Sequence, residues 1–227
     1  MSTAPALEAT GLTKTYDDLV ALYPLDLTVN AGESVALIGH NGSGKSTFLR
    51  MAAGLLDRTD GDLEIAGFET GDVEARATTS FLPDDPVLYD DLSLREHAEY
   101  ISRLHGGEGF DDYAESLCER IGLADRIDDL PARFSRGLRQ KTSIVLALVR
   151  PFSLFLVDEP FVGLDQPGKA VLLELLDEVH DDGAASLVAT HDPAYVDLVD
   201  RVIALRDGAV VYDGKASVDQ VLGLVGG

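Results

Sequence analysis

One octapeptide constrains this chain more than any other feature. Gly39-His40-Asn41-Gly42-Ser43-Gly44-Lys45-Ser46 satisfies G-x-x-x-x-G-K-S/T at every fixed position. The apolar run Ser34–Ile38 leads straight into it, and Lys45–Leu56 after it reads as a helix. Glycines let the backbone curl until successive N–H groups converge on one anion, and the helix start adds its partial positive charge. Gly39, His40, Asn41, Gly42, Ser43 and Gly44 are therefore candidate phosphate-binding residues, followed by Lys45, Ser46 and Thr47. Lys45 is placed to reach the β- and γ-phosphates of a nucleoside triphosphate, and Ser46 to ligate Mg²⁺.

Around this loop, short strands are predicted at Leu25–Val29, Asp62–Ile65, Leu154–Val157, Ser186–Thr190 and Val202–Leu205, with turns at Asn30-Ala31-Gly32 and Asp60-Gly61. From about Ser93 to Val149 the pattern is helical, opened by a capping box of Ser93 and Glu96. Pro167–His180 is a further helix with proline near its start. Strands alternating with helices imply an α/β fold with a parallel sheet and right-handed crossovers, into which a helical lobe is inserted.

The apolar strand ending Val157-Asp158-Glu159-Pro160 puts two carboxylates at its tip. Ligands gather at the C-terminal ends of parallel strands, so both acids should lie beside the phosphate loop. Consecutive residues point in different directions, which leaves Asp158 for the Mg²⁺ shell and Glu159 to polarise a water.

Composition narrows the partners. Forty acidic residues against 18 Lys and Arg give a net charge of −22, a surface that repels nucleic acid. Doublets such as Asp17-Asp18 and Asp181-Asp182 resemble those of halophile proteins, whose self-repulsion is screened by high internal salt. The single cysteine, Cys118, allows no intramolecular disulfide. No apolar run reaches the roughly 18 residues of a membrane span, and the N-terminus lacks a signal-peptide layout. A cytoplasmic protein is expected. His40, His97, His105 and His180 show no metal-ligand spacing.

The ordered set of the P-loop, Phe134-Ser135-Arg136-Gly137-Leu138-Arg139-Gln140-Lys141, the strand with Asp158 and Glu159, Gly163-Leu164-Asp165 and then His191 resembles the nucleotide-binding subunit of ABC transporters. The resemblance runs from about Leu7 to Gly214. It implies a P-loop NTPase parallel-sheet core with an antiparallel β subdomain and an inserted α-helical subdomain. Residues 1–80 and 151–227 would form the core and β subdomain, and 81–150 the helical subdomain. It also implies ATP and Mg²⁺ as ligands. Ser135 and Gly137 would meet the γ-phosphate held by a partner's P-loop, Asp165 would lie at the dimer interface, and His191 would contact the γ-phosphate. Tyr16, 23 residues before Gly39, would stack on adenine. Lys45, Glu159 and His191 would form the catalytic set, with Ser46, Asp84 and Asp158 at the metal.

Three positions depart from the family pattern. Asp84 stands where a glutamine is usual, Arg136 replaces the first signature glycine, and Leu138 replaces the signature glutamine. An acid at position 84 resembles the branch serving ABC-2-type permeases. The expected partners are a second ATPase subunit and an integral-membrane permease, with the chain peripheral on the inner face of the cell membrane. A soluble ABC ATPase with a non-membrane partner, such as an iron–sulfur assembly ATPase, stays open as the alternative. A simple kinase or GTPase has no use for the 134–141 segment or His191.

Overall fold

The computed structural model describes residues 4–107, 109–191 and 193–225. The chain divides into two compact units, Met1–Phe81 with Phe152–Pro160 and Val179–Gly227, and Leu82–Pro151 with Phe161–Glu178.

The first unit contains two sheets. Strands β1 (Leu7–Tyr16), β2 (Leu19–Val29), β4 (Asp60–Ile65) and β5 (Phe68–Glu69) form an antiparallel sheet in the order β2-β1-β4-β5. The second sheet, with β3 (Ser34–Ile38), β6 (Thr79–Leu82), β7 (Leu154–Asp158), β8 (Ala185–Thr190), β9 (Arg201–Arg206) and β10 (Ala209–Gly214), runs β10-β9-β3-β8-β7-β6. Strands β9, β3, β8 and β7 are parallel neighbours. Every residue of β3, β7 and β8 is buried, which explains why their sequences read as unbroken apolar runs. β10 is antiparallel to β9 through the Asp207-Gly208 turn.

Helix α1 (Lys45–Ala52) touches β2 and β4 of one sheet and β7 and β8 of the other. Its Phe48, Leu49 and Met51 join a single core with Leu7, Leu12 and Leu27 on one side and Leu37, Leu156 and Leu187 on the other. The helix carrying the phosphate loop is thus gripped by both sheets. It stops at Ala52, short of the predicted Leu56, because Gly54 turns the chain at φ +68°. β2 begins six residues earlier than predicted and runs through Pro24, which an edge strand tolerates. Between β5 and β6 lies α2 (Val73–Thr78).

The second unit is helical. It holds α3 (Leu94–Leu104), α4 (Asp112–Ile121), α5 (Arg136–Leu148) and most of α6 (Gln166–Asp181). The capping box at Ser93 and Glu96 is present. His97 is buried as a structural residue, accepting the Tyr89 N–H at 2.9 Å and stacking on the Tyr89 ring. Back in the first unit, a short C-terminal helix, α7 (Val218–Val225), follows β10.

Candidate active site

β3 delivers the phosphate loop to the start of α1. Gly39 has no room for a side chain, since a Cβ would lie 2.4 Å from both the Leu205 carbonyl oxygen and Ser43 Oγ. Gly42 and Gly44 adopt φ of +83° and +106°, conformations that only glycine takes without strain. A Cβ on Gly44 would also strike Leu22 at 2.5 Å. These three constraints hold the loop in a tight curl, closed by the Ser43 N–H donating to the His40 carbonyl at 3.1 Å.

Lys45 is 5% exposed, and among the described residues its ammonium is bonded to main-chain carbonyls and faces one carboxylate. Its Nζ donates to the Gly39 carbonyl at 2.7 Å and the His40 carbonyl at 3.3 Å, and lies 3.6 Å from Glu159 Oε1. Ser43 Oγ is buried without a hydrogen-bond partner among the described residues. A buried cation and an unsatisfied hydroxyl on the same curled loop suit a phosphate oxygen.

The two acids at the tip of β7 diverge, as the strand geometry requires. Asp158, 1% exposed, accepts a hydrogen bond from Ser46 Oγ at 3.0 Å. Two hard oxygen donors at that spacing fit Mg²⁺, which keeps waters and substrate phosphates for its remaining positions. Glu159 turns the other way, at φ +44°, a left-handed conformation costly for a side chain of this size. Its N–H is tied to the Ala189 carbonyl at 2.9 Å. Its Oε2 accepts from His191 Nδ1 at 2.7 Å and from the His191 N–H at 3.3 Å. Lys45, Glu159 and His191 are therefore brought together from three segments far apart in the chain.

Tyr16 ends β1, is 44% exposed, and lies under the Lys14 ammonium at 4.9 Å. It sits on the antiparallel sheet, whose β2 reaches the phosphate loop through Leu22 against Gly44.

In the helical unit, Ser135 is the exposed N-cap of α5 and accepts the Leu138 N–H at 3.3 Å. Gly137 passes so close to the segment after β7 that a Cβ would stand 2.7 Å from the Gly163 carbonyl oxygen. Asp165 is held by Lys141 Nζ at 3.1 Å and by the Gly168 N–H at 3.0 Å. The Lys141 ammonium keeps the Asp165 carboxyl below the usual carboxylate range. Asp84 faces Arg136, 3.8 Å away, so the two charged departures from the family pattern lie against each other. The sequence contains no periodic signal that would announce either contact.

The sequence profile described as ABC transporter matches residues 22–162. The chain belongs to the ABC transporter family. It is 32% identical over 210 residues to the SkfA peptide export ATP-binding protein SkfE of Bacillus subtilis, covering 91% of this chain and 88% of that one. Identity reaches 40% over 209 residues with the macrolide export ATP-binding/permease protein MacB of Rhodopseudomonas palustris (strain HaA2). That match takes in 88% of this chain but 32% of MacB, so the chain spans about a third of this larger relative. Among solved structures, a dimeric post-hydrolysis state of the ATP-binding cassette MJ0796 bound to ADP and Pi superimposes with a TM-score of 0.85 at 26% identity, over 92% of this chain and 98% of that one. The fold is the ABC ATPase fold, and the chain is an ATP-binding, ATP-hydrolysing ABC subunit.

Proposed function

We propose that this ABC subunit powers a separate membrane permease by closing on ATP with a second ATPase subunit and reopening after hydrolysis. The phosphate loop holds the triphosphate of one protomer while Ser135 and Gly137 of the other cover its γ-phosphate. Glu159 orients the attacking water and takes its proton, and His191 holds the Glu159 carboxylate in place. Lys45 and His191 stabilise charge on the transferring phosphoryl group. Ser46 and Asp158 would hold Mg²⁺, and the ion would neutralise charge on the β- and γ-phosphates. Tyr16 stacks on the adenine, and Asp165 lines the closed interface.

The observation that carries this reading is the Glu159 carboxylate, strained at φ +44° and held between Lys45 and His191. Positions that strained persist where the surroundings over-determine them, commonly at active sites. A permease partner is supported by relatives whose names join an ATP-binding part to a permease, as in MacB. Among the described residues no helix is long and apolar enough to cross a membrane, so a membrane location would come through that partner.

The test is Glu159→Gln. Turnover should fall by about a hundredfold or more, the scale of losing a general base. Sedimentation with ATP should show a dimer that the wild type forms only transiently. A variant that stays monomeric with ATP and hydrolyses normally would refute the mechanism. Purification from detergent-solubilised membranes tests the partner: a multispanning protein is expected, and a soluble scaffold in its place would favour a non-transport role.

A further inference from the structure

Ser135 at the start of α5 and Asp165 just ahead of α6 stand 30 residues apart in the chain, yet α5 grips the segment that ends in Asp165. Gly163, at φ +81°, lies against both residues that follow Ser135. A Cβ on Gly137 would stand 2.7 Å from the Gly163 carbonyl oxygen, and one on Gly163 would stand 3.6 Å from Arg136 Cγ. One turn further along α5, Lys141 Nζ lies 3.1 Å from Asp165 Oδ1, and the lysine side chain is only 14% exposed. The same oxygen accepts the Gly168 N–H at 3.0 Å, so Asp165 caps the first turn of α6. A Cβ on Gly168 would stand 2.7 Å from that oxygen and 3.1 Å from Lys141 Cε, so glycine there makes room for the clamp.

The cap alone would leave Asp165 as a charge on the surface, since its side chain is 60% exposed. Lys141 compensates that charge, and the carboxyl is accordingly held below the usual range. Two copies that each carry a net charge of −22 repel as they close, and a bare carboxylate on the closing face would add to the repulsion. The lysine therefore does two things at once: it cancels a charge, and it fixes the carboxylate to the helix that Ser135 caps.

We propose that Lys141 is a positioning residue for dimer closure, clamping and neutralising Asp165 so that each subunit offers its partner Ser135 and Asp165 in one fixed arrangement. The proposal rests on reading Ser135 and Asp165 as the surface that meets a second copy. Lys141 and Asp165 belong to the second compact unit and the phosphate loop to the first, so ADP binding by a single subunit should be indifferent to Lys141.

The experiment sediments the Glu159→Gln parent with saturating ATP at about 0.1 M and 1 M KCl, alone and with changes at Lys141. Lys141→Met keeps the stem beside Gly168 and removes the charge. Half-maximal dimerisation should need about tenfold more subunit at low salt, about threefold for each of the two pairs a dimer carries. Screening should shrink the loss to about threefold or less at high salt. Lys141→Arg should stay within about twofold of the parent, because the charge is kept. Adding Asp165→Asn to Lys141→Met should recover most of the loss, because no bare carboxylate remains. A packing role alone would lower the melting temperature without this salt dependence or rescue. Lys141→Met dimerising like the parent at both salts overturns the proposal, as does a loss that salt and Asp165→Asn leave untouched. Lys141→Gln, also uncharged, gives the same readings should methionine prevent folding. A parent that fails to dimerise with ATP would instead overturn the dimer reading itself.

Discussion

At the residue scale, space and charge decide what each position of the site tolerates. Gly39→Ala places a methyl carbon where the Leu205 carbonyl and Ser43 Oγ already stand. Nucleotide affinity should drop by tenfold or more, on the order of 1.4 kcal/mol, with little change in secondary structure; calorimetric titration with ADP checks it. Asp165 offers a pH test. Its folded carboxyl is held low, first by the Lys141 hydrogen bond, so it contributes stability above the unfolded value, near pH 4, that is lost as pH falls through the folded value. Melting curves should show the wild type losing stability more steeply than Asp165→Asn below about pH 4, and parallel curves would remove Lys141 from this role. The phosphate loop was legible because its glycines and its Lys45-Ser46 pair stand at fixed spacings within one short segment. The meetings of Asp84 with Arg136 and Asp165 with Lys141 were not, because surface ion pairs between distant segments leave no periodicity behind.

At the element scale, the site depends on α1 being seized by two sheets. Phe48 is fully buried in their shared core, and Phe48→Ala should cost about 3–5 kcal/mol in denaturant unfolding of the first unit. A loss under about 1 kcal/mol would mean that the two sheets do not share this core. Ser135 caps α5, so Ser135→Ala should cost about 0.5–2 kcal/mol of stability while reducing ATP turnover further than that loss explains. The buried strands β3, β7 and β8 were legible to within a residue, because a strand covered on both faces is written as an apolar run. β2 was found only in its second half, since Pro24 reads as a breaker until the strand is known to be an edge. Contacts made by turns, such as Gly208 against the phosphate loop, need the sheet order and were out of reach of the sequence.

At the scale of the whole molecule, a net charge of −22 on 227 residues is a standing repulsion that salt must screen. Two such subunits closing on ATP meet that repulsion again across their interface. The screening length is about 10 Å at 0.1 M salt and about 3 Å at 1 M, so both melting temperature and ATP-driven dimerisation should rise from 0.1 M to multimolar KCl. Equal values at both salts would mark the acidity as incidental. The central claim concerns the same interface: each nucleotide site is completed by Ser135 of another copy. Single cysteines placed at Asn41 in one batch and at Ser135 in another, both on the Glu159→Gln background, test it by mixing and mild oxidation. The native Cys118 stays out of the reaction, being buried with its thiol pushed up to about 11. Disulfide-linked dimers should form in the mixture with ATP, and not in either batch alone or without nucleotide. Crosslinking that ignores ATP, or none at all while ATP is bound, would contradict the account.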